Sequence, residues 1–180
     1  MAPARIMVIR HAEKPDPDNR HGGVAADGTA DDESLTVRGW QRAGALVGFF
    51  TARPDLRPSA IFAAGIGHGS KSKRPLETVT PLAARLKEHG QVAVTTDYLK
   101  DDLQPLVQDV LSRHGTVLIS WEHKRIPDIV SLLPHAPSCP HVWPDERFDL
   151  VWVLDREDQG WSFSQAPQLL LAGDRSDPIA

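Results

Sequence analysis

The sequence predicts an α/β fold, a three-layer α/β/α sandwich in which helices cover both faces of a mostly parallel sheet. Three observations predict it. Short β-branched apolar runs alternate with longer stretches of helical period. The first such run, Ile6 to Ile9, is apolar without a break, as a strand buried on both faces must be. Polar residues then gather just after the strands, and in sheets of this kind ligands bind beyond the strands' carboxyl ends.

The elements follow in order. Ile6-Met7-Val8-Ile9 reads as a strand ending at Arg10-His11, and Pro15 to Glu33, rich in Pro, Asp, Asn, Gly and Ala, reads as a loop able to close over a site. Ser34-Leu35-Thr36 offers a helix cap, and Ala43, Leu46, Val47 and Phe50 recur at helical spacing between Arg38 and Phe50, with Pro54 beyond. Ala60 to Ala64 is a second strand, Gly65 to Gly69 a turn, and Pro75 to Glu88 a helix with Leu76, Val79, Leu82, Ala83 and Leu86 along one side. Val92 to Thr95 is a third strand, Asp102 to His114 a third helix, and Val117 to Ser120 a fourth strand stopping at Trp121-Glu122-His123. A short helix over Pro127 to Leu133 and a loop over Pro134 to Glu146 precede two strands, Phe148 to Leu154 and Gly160 to Ser164, joined by a turn at Asp155 to Gln159. Trp121, Trp143, Trp152 and Trp161 read as packing residues.

At 180 residues the chain is expected to form one domain over 1–180. With a formal net charge of -4, nothing favours a nucleic-acid partner. The single cysteine, Cys139, rules out an internal disulfide framework or a zinc site of paired cysteines and fits a reducing, cytoplasmic setting. The apolar stretch after Arg5 is too short for a signal-peptide core, and no run reaches the roughly 18 apolar residues of a membrane span, so no membrane partner is expected. No feature specifies an oligomeric state.

Three strands end in polar sets: Arg10 to Lys14 after the first, Ser70 to Arg74 after the second, and Glu122-His123 after the fourth. Brought to one rim, two arginines and two histidines would supply guanidinium forks matched to phosphate oxygens and imidazoles able to donate, accept or attack. That is the residue set of a metal-free phosphoryl-transfer site. The other histidines give no metal-binding pattern: His89 and His114 fall near helix ends, and His135 and His141 lack the carboxylate spacing of a zinc site. His68, on the turn that feeds the basic segment, is a candidate pocket residue, and Arg38 and Arg42 read as surface or supporting residues.

Arg10-His11-Ala12-Glu13 after an N-terminal strand resembles the Arg-His-Gly signature of the histidine phosphatase superfamily, the phosphoglycerate mutase-like fold, in the manner of its short members. Leu35-Thr36-Val37-Arg38-Gly39 resembles the family's Leu-Thr-x-x-Gly helix entry. Ser70-x-x-x-Arg74-Pro75-x-x-Thr78 resembles its Ser-x-x-x-Arg-Ala-x-x-Thr segment, and Val117 to His123 the strand that ends in a second histidine. Ala12 stands for the usual glycine, Pro75 for alanine, and Trp121-Glu122 where many members have a serine.

The resemblance implies that His11 is a nucleophile that forms a phosphohistidine, that Arg10 and Arg74 hold the non-bridging oxygens, and that His123 donates to the same group. The proton for the leaving oxygen has several candidate sources: Glu122 first, then Asp101 and Asp102, then Glu13. Glu13, Lys14 and Ser70 are expected to touch substrate. The implied activity is hydrolysis of a phosphate monoester or phosphoramidate, on a small molecule or a phosphoprotein, with no cofactor and no metal. Other readings are a phosphate-binding regulatory protein with little turnover, a phosphomutase, for which the chain lacks the long insertions expected, and a metal-dependent hydrolase.

Overall fold

The computed structural model describes residues 3–16, 18, 21–88, 90 and 92–180. Among these, strands β1 (Arg5–Arg10), β2 (Ala60–Ala63), β3 (Ala93–Thr95), β4 (Thr116–Trp121), β5 (Leu150–Glu157) and β6 (Gly160–Pro167) form one sheet in the order β3-β2-β4-β1-β5-β6. β1 to β4 pair in parallel, and β5 runs antiparallel to both β1 and β6. The helices are α1 (Val37–Thr51), α2 (Arg74–Lys87), α3 (Leu103–Ser112) and α4 (Ile126–Ser131), with single 3-10 turns at Pro54–Leu56 and His123–Arg125. The predicted sandwich with a mostly parallel sheet is the one observed.

Side chains alternate across the sheet because successive Cβ atoms of a strand point to opposite faces. Met7 and Ile9 pack with Leu46 and Phe50 of α1 and Val79, Leu82 and Leu86 of α2; Ile6 and Val8 pack with Leu106 and Val110 of α3 and Ile129 and Val130 of α4. The chain therefore steps outward along the sheet through α1 and α2 on one face and returns through α3 on the other. β1 and β4 lie side by side at the centre, where that direction reverses, and a ligand crevice forms at such a place.

The predicted elements are all present, with shifted ends. The second strand stops at Ala63, the third helix spans Leu103–Ser112, and the fourth helix starts one residue earlier, at Ile126. The largest difference lies in the final pair of strands. Its connection is the two-residue turn Asp158-Gln159 rather than Asp155 to Gln159, β5 starts at Leu150 rather than Phe148, and β6 runs on to Pro167. Polar Asp155 to Glu157 read as turn, but Asp155 is held in the ladder by Arg5 at 2.5 Å. The expectation for His89 falls outside the described residues. No helix among the described residues is long and apolar enough to cross a membrane.

Candidate active site

β1 delivers Arg10 and His11 to the rim, and the backbone ladder continues one step past its end, His11 N–H donating to Trp121 O at 3.0 Å. That bond sets the signature segment beside the end of β4, where Glu122 and His123 follow. His11 Nδ1 lies 2.8 Å from the Ala12 carbonyl. A carbonyl only accepts, so Nδ1 carries the proton and Nε2 keeps its lone pair. Burial, reinforced by the positive charge of Arg10 and Arg74 and by His123, holds the imidazole well below its ordinary pKa despite the Ala12 contact. His11 is thus neutral near pH 7, with Nε2 available.

Arg10 is almost wholly buried. Its Nη1 donates to the carbonyls of Asp145 (2.5 Å), Arg147 (3.1 Å) and Pro144 (3.3 Å), and its guanidinium lies 3.8 Å from the centre of the Phe148 ring. Nε and Nη2 are buried and find no partner among the described residues. Burial lowers its pKa to about 10, so it remains a cation at neutral pH. Arg74, the first residue of α2, donates from Nη1 to Asp32 O at 2.8 Å and leaves Nε buried and unpartnered among the described residues. His123 places Nε2 2.6 Å from Asp145 Oδ1, while Nδ1 is buried without a partner among the described residues. Burial first and Arg10 second push its pKa down to about 4 against the pull of Asp145.

The surrounding motif residues are fasteners. Thr78 Oγ1 accepts from Ala12 N–H at 2.8 Å and donates to Arg74 O at 2.7 Å, tying the segment that bears the nucleophile to the helix that bears the arginine. Thr36 caps α1 by accepting from Gly39 N–H and donates to Glu13 O, and a Cβ on Gly39 would lie 2.6 Å from that same carbonyl. Glycine is needed there for close approach. Ala12, which stands where the resembled signature has glycine, is buried in a cluster with Leu35 and Ala43, so its methyl is accommodated by packing. Pro75 takes the second position of α2, where no intrahelical N–H is required.

A cavity of about 360 Å³ opens over these groups, lined by His11, Arg74, His123, Glu122, Ser70 and Lys14 among others. The structure thus brings His11, Lys14, Ser70, Arg74, Glu122 and His123 around one cavity, with the buried Arg10 next to His11 in the chain, and leaves Glu13, Asp101, Asp102 and His68 outside it. Ser70 is buried and spends its hydroxyl proton on Gly65 O at 2.9 Å. Burial and Arg10 lower the pKa of Lys14.

Glu13 is a correction: both its oxygens are held by Arg42 at 2.8–3.1 Å, in an ion-pair group with Arg38 and Asp174, so it neither lines the cavity nor is free to act as an acid. Arg42 is accordingly buried rather than on the surface. Two other acid candidates are engaged elsewhere. Asp101 pairs with Arg125 at 2.7 Å, and Asp102 accepts from Leu99 N–H. His68 is exposed and stands outside the cavity.

Sequence reasoning missed the segment from Trp143 to Asp149, which supplies three carbonyls to Arg10, a ring beneath it and a carboxylate to His123. No local pattern marks it; only the Pro144-Asp145 pair hinted at a turn. Lys71, Lys100 and Glu33, also missed as pocket residues, line the cavity. Among the described residues, no group of three or more His, Cys, Asp or Glu side chains is placed to hold a metal.

No family model matches the sequence, and no curated protein is similar to it at a significant level. Solved structures are. A phosphoserine phosphatase from Entamoeba histolytica, crystallised as a mutant with phosphoserine, superposes with a TM-score of 0.56 at 12% identity, covering 93% of this chain and 98% of that one. SixA from Nakamurella multipartitia, assigned to the phosphohistidine phosphatases, gives 0.54 at 16% identity over 89% and 92%. A mycobacterial glucosyl-3-phosphoglycerate phosphatase gives 0.52 at 14% over 91% and 97%. Likeness at such low identity is a likeness of fold, and by it the chain has a phosphoglycerate mutase-like fold.

Proposed function

We propose that the protein is a metal-independent phosphatase acting on a phosphate monoester or phosphoramidate through a phosphohistidine at His11. One observation carries this reading: a buried, neutral imidazole with its lone pair on Nε2, beside buried guanidinium N–H groups of Arg10 and Arg74 that have no partner among the described residues. Leaving buried charged donors unsatisfied costs about 1–3 kcal/mol or more each, and a phosphoryl group supplies the acceptors they lack.

In the first step Nε2 attacks phosphorus and the bond to the leaving oxygen breaks. Arg10, Arg74 and His123 stabilise the equatorial oxygens, on which charge is concentrated in transfer. Glu122, a carboxyl on the cavity wall without a cationic partner of its own among the described residues, gives its proton to the leaving oxygen. In the second step Glu122, now a carboxylate, takes a proton from water as that water attacks phosphorus, and His11 departs with its lone pair restored. The cavity admits a phosphorylated small molecule or a phosphorylated side chain of a protein, and the phosphoserine held by one structural relative fits that range.

Hydrolysis of an aryl phosphate in the presence of chelator tests the reading. Wild type is expected to turn over and to yield an acid-labile phosphoenzyme, with both signals abolished in His11→Ala. Glu122→Gln should lower kcat by about 10²- to 10⁴-fold for alkyl phosphates, whose leaving oxygens need the proton, and much less for nitrophenyl phosphate. Folded wild type that binds phosphate yet never labels would show a binding protein instead, and activity lost in chelator and restored by zinc or manganese would show a metal enzyme.

A further inference from the structure

Asp145 is an exposed carboxylate at a fixed place. Its side chain is 71% exposed, yet Oδ1 sits 2.6 Å from Nε2 of His123, whose ring is only 6% exposed. The turn that carries it is held from several sides. Arg147 N–H closes it on Pro144 O at 3.1 Å, and Trp143 Nε1 donates to Arg147 O at 2.8 Å with its indole packed against Trp152. The Arg147 side chain, itself buried, pairs with Asp149 at 2.7 Å and donates to Asp177 O at 2.8 Å. Arg10 Nη1 inserts among the turn's carbonyls. A surface aspartate ordinarily points into water from a mobile stem, whereas this one rises from a turn held by its own backbone and meets a buried ring.

A carboxylate accepts and does not donate, so Nε2 of His123 bears the proton of this contact. The neutral ring then keeps its lone pair on Nδ1, the nitrogen that is buried and unpartnered among the described residues. The charged and titratable groups around the ring are Arg10 and His11 from the end of β1, Lys14 from the segment after it, Asp145 from the loop before β5, Glu122 on the same cavity wall, and Lys124 and His141, which line a second recess with His123 and Asp145. Arg10 and Lys14 oppose a second proton on the ring, and Asp145 favours one. A phosphoryl dianion in the cavity would tip that balance: the ring would take one proton from solvent at Nδ1 and donate it in a hydrogen bond to a phosphoryl oxygen, keeping the N–H bond.

We propose that Asp145 is a positioning residue for His123, fixing the ring through Nε2–H and supplying the counter-charge that lets Nδ1 carry a proton to the bound phosphoryl group. The catalytic consequence rests on the phosphatase reading above; the effect on the ring does not. The pair acts as an orienting carboxylate and histidine do elsewhere, with the carboxylate remaining ionised throughout.

Two measurements on Asp145→Asn, which keeps the shape of the turn and removes the charge, test the proposal. The first is the titration of the His123 ring, followed by NMR in protein saturated with inorganic phosphate and assigned with a His123→Asn control. Loss of an adjacent negative charge should lower its pKa by about one unit or more. The second is kcat/KM for an aryl phosphate against pH. With less imidazolium at a given pH, the limb on which activity falls as pH rises should move down by about one unit, giving about a tenfold loss above that limb and none below it. An equal loss at every pH, with Asp145→Glu no better than Asp145→Ala, would mark a merely structural residue and overturn the proposal. So would an unchanged ring titration, whether or not the protein turns over. A wild type that never turns over defeats the phosphatase reading instead, and the titration still decides for Asp145.

Discussion

The two arginines differ in what else their guanidinium groups must do. Arg10 spends Nη1 on three carbonyls and has Nε and Nη2 left, so one planar group joins the 143–149 segment to the phosphoryl position. A lysine there would keep the charge and lose the fork. Arg10→Lys should therefore lower both stability and kcat/KM, whereas Arg74→Lys, which gives up one carbonyl contact at the edge of the site, should lower kcat/KM with a smaller change in the urea midpoint. Thr78→Val is the complementary case, because it touches no substrate. It orphans the buried Ala12 N–H, at a cost of about 1–3 kcal/mol in urea unfolding, and should reduce kcat more than it raises KM by loosening His11. Arg10, His11, Arg74, Glu122 and His123 were legible in the sequence because each ends a strand or opens a helix on the rim. Asp145 and Phe148 were not, since what brings them to Arg10 is a loop path set by the burial of Trp143 and Arg147, more than 130 positions along the chain.

Helix α1 shows how an element can be plain in sequence while the reason for one of its residues is not. Its cap at Thr36 and the spacing of Ala43, Leu46 and Phe50 were readable from local pattern. That Gly39 must be glycine was readable only as a motif, because the obstacle is the carbonyl of Glu13, which precedes it by 26 positions. The same helix holds two more glycines, Gly44 and Gly48, whose added Cβ atoms would meet nothing within 4 Å. The three positions should respond with opposite sign. Gly48→Ala and Gly44→Ala should each stabilise the protein by about 0.5–1 kcal/mol, the cost of glycine's extra freedom in a helix. Gly39→Ala should destabilise it by about 1–3 kcal/mol, because a backbone carbonyl cannot swing aside, and should displace the segment after His11. Urea midpoints measured together with aryl phosphate turnover check both signs. Strand ends were legible less well: β5 reaches Glu157 through polar residues that local pattern assigns to a turn, and the partner that keeps Asp155 in the ladder, Arg5, lies in β1.

Across the whole molecule, the site and the C-terminal segment are joined through charge, and acid should uncouple them in two stages. His11 and His123 are buried with pKa values below the ordinary one, His123 at about 4, so the unfolded chain binds protons at these positions before the folded chain does. Stability must then fall as pH drops from about 6.5 towards 4. Phosphate, which pairs with the protonated site and binds only the folded state, should oppose that fall. The second stage belongs to Asp174, whose burial is outweighed by hydrogen bonds from Arg42 and from the N–H groups of Leu170 and Leu171, so that its pKa lies at about 2. Its contribution is present above an ordinary carboxylate pKa of about 3.8 and is lost as pH falls from there to about 2. Arg42, held by the same carboxylate and by Glu13, would then keep only part of its pairing, and with it the tie between the C-terminal segment and the residue two places after His11. Thermal melts from pH 7.5 to 2.5 should show both stages in wild type. His11→Asn with His123→Asn should flatten the upper stage and leave the lower one. Asp174→Asn, by leaving a buried guanidinium short of its partner, should lower stability by about 3–5 kcal/mol near neutral pH, by less as pH falls from about 3.8 towards 2, and so remove much of the lower stage. A wild-type profile that is flat between pH 6.5 and 4 would mean that neither histidine is held neutral by its surroundings, and would remove the free Nε2 on which the nucleophile depends.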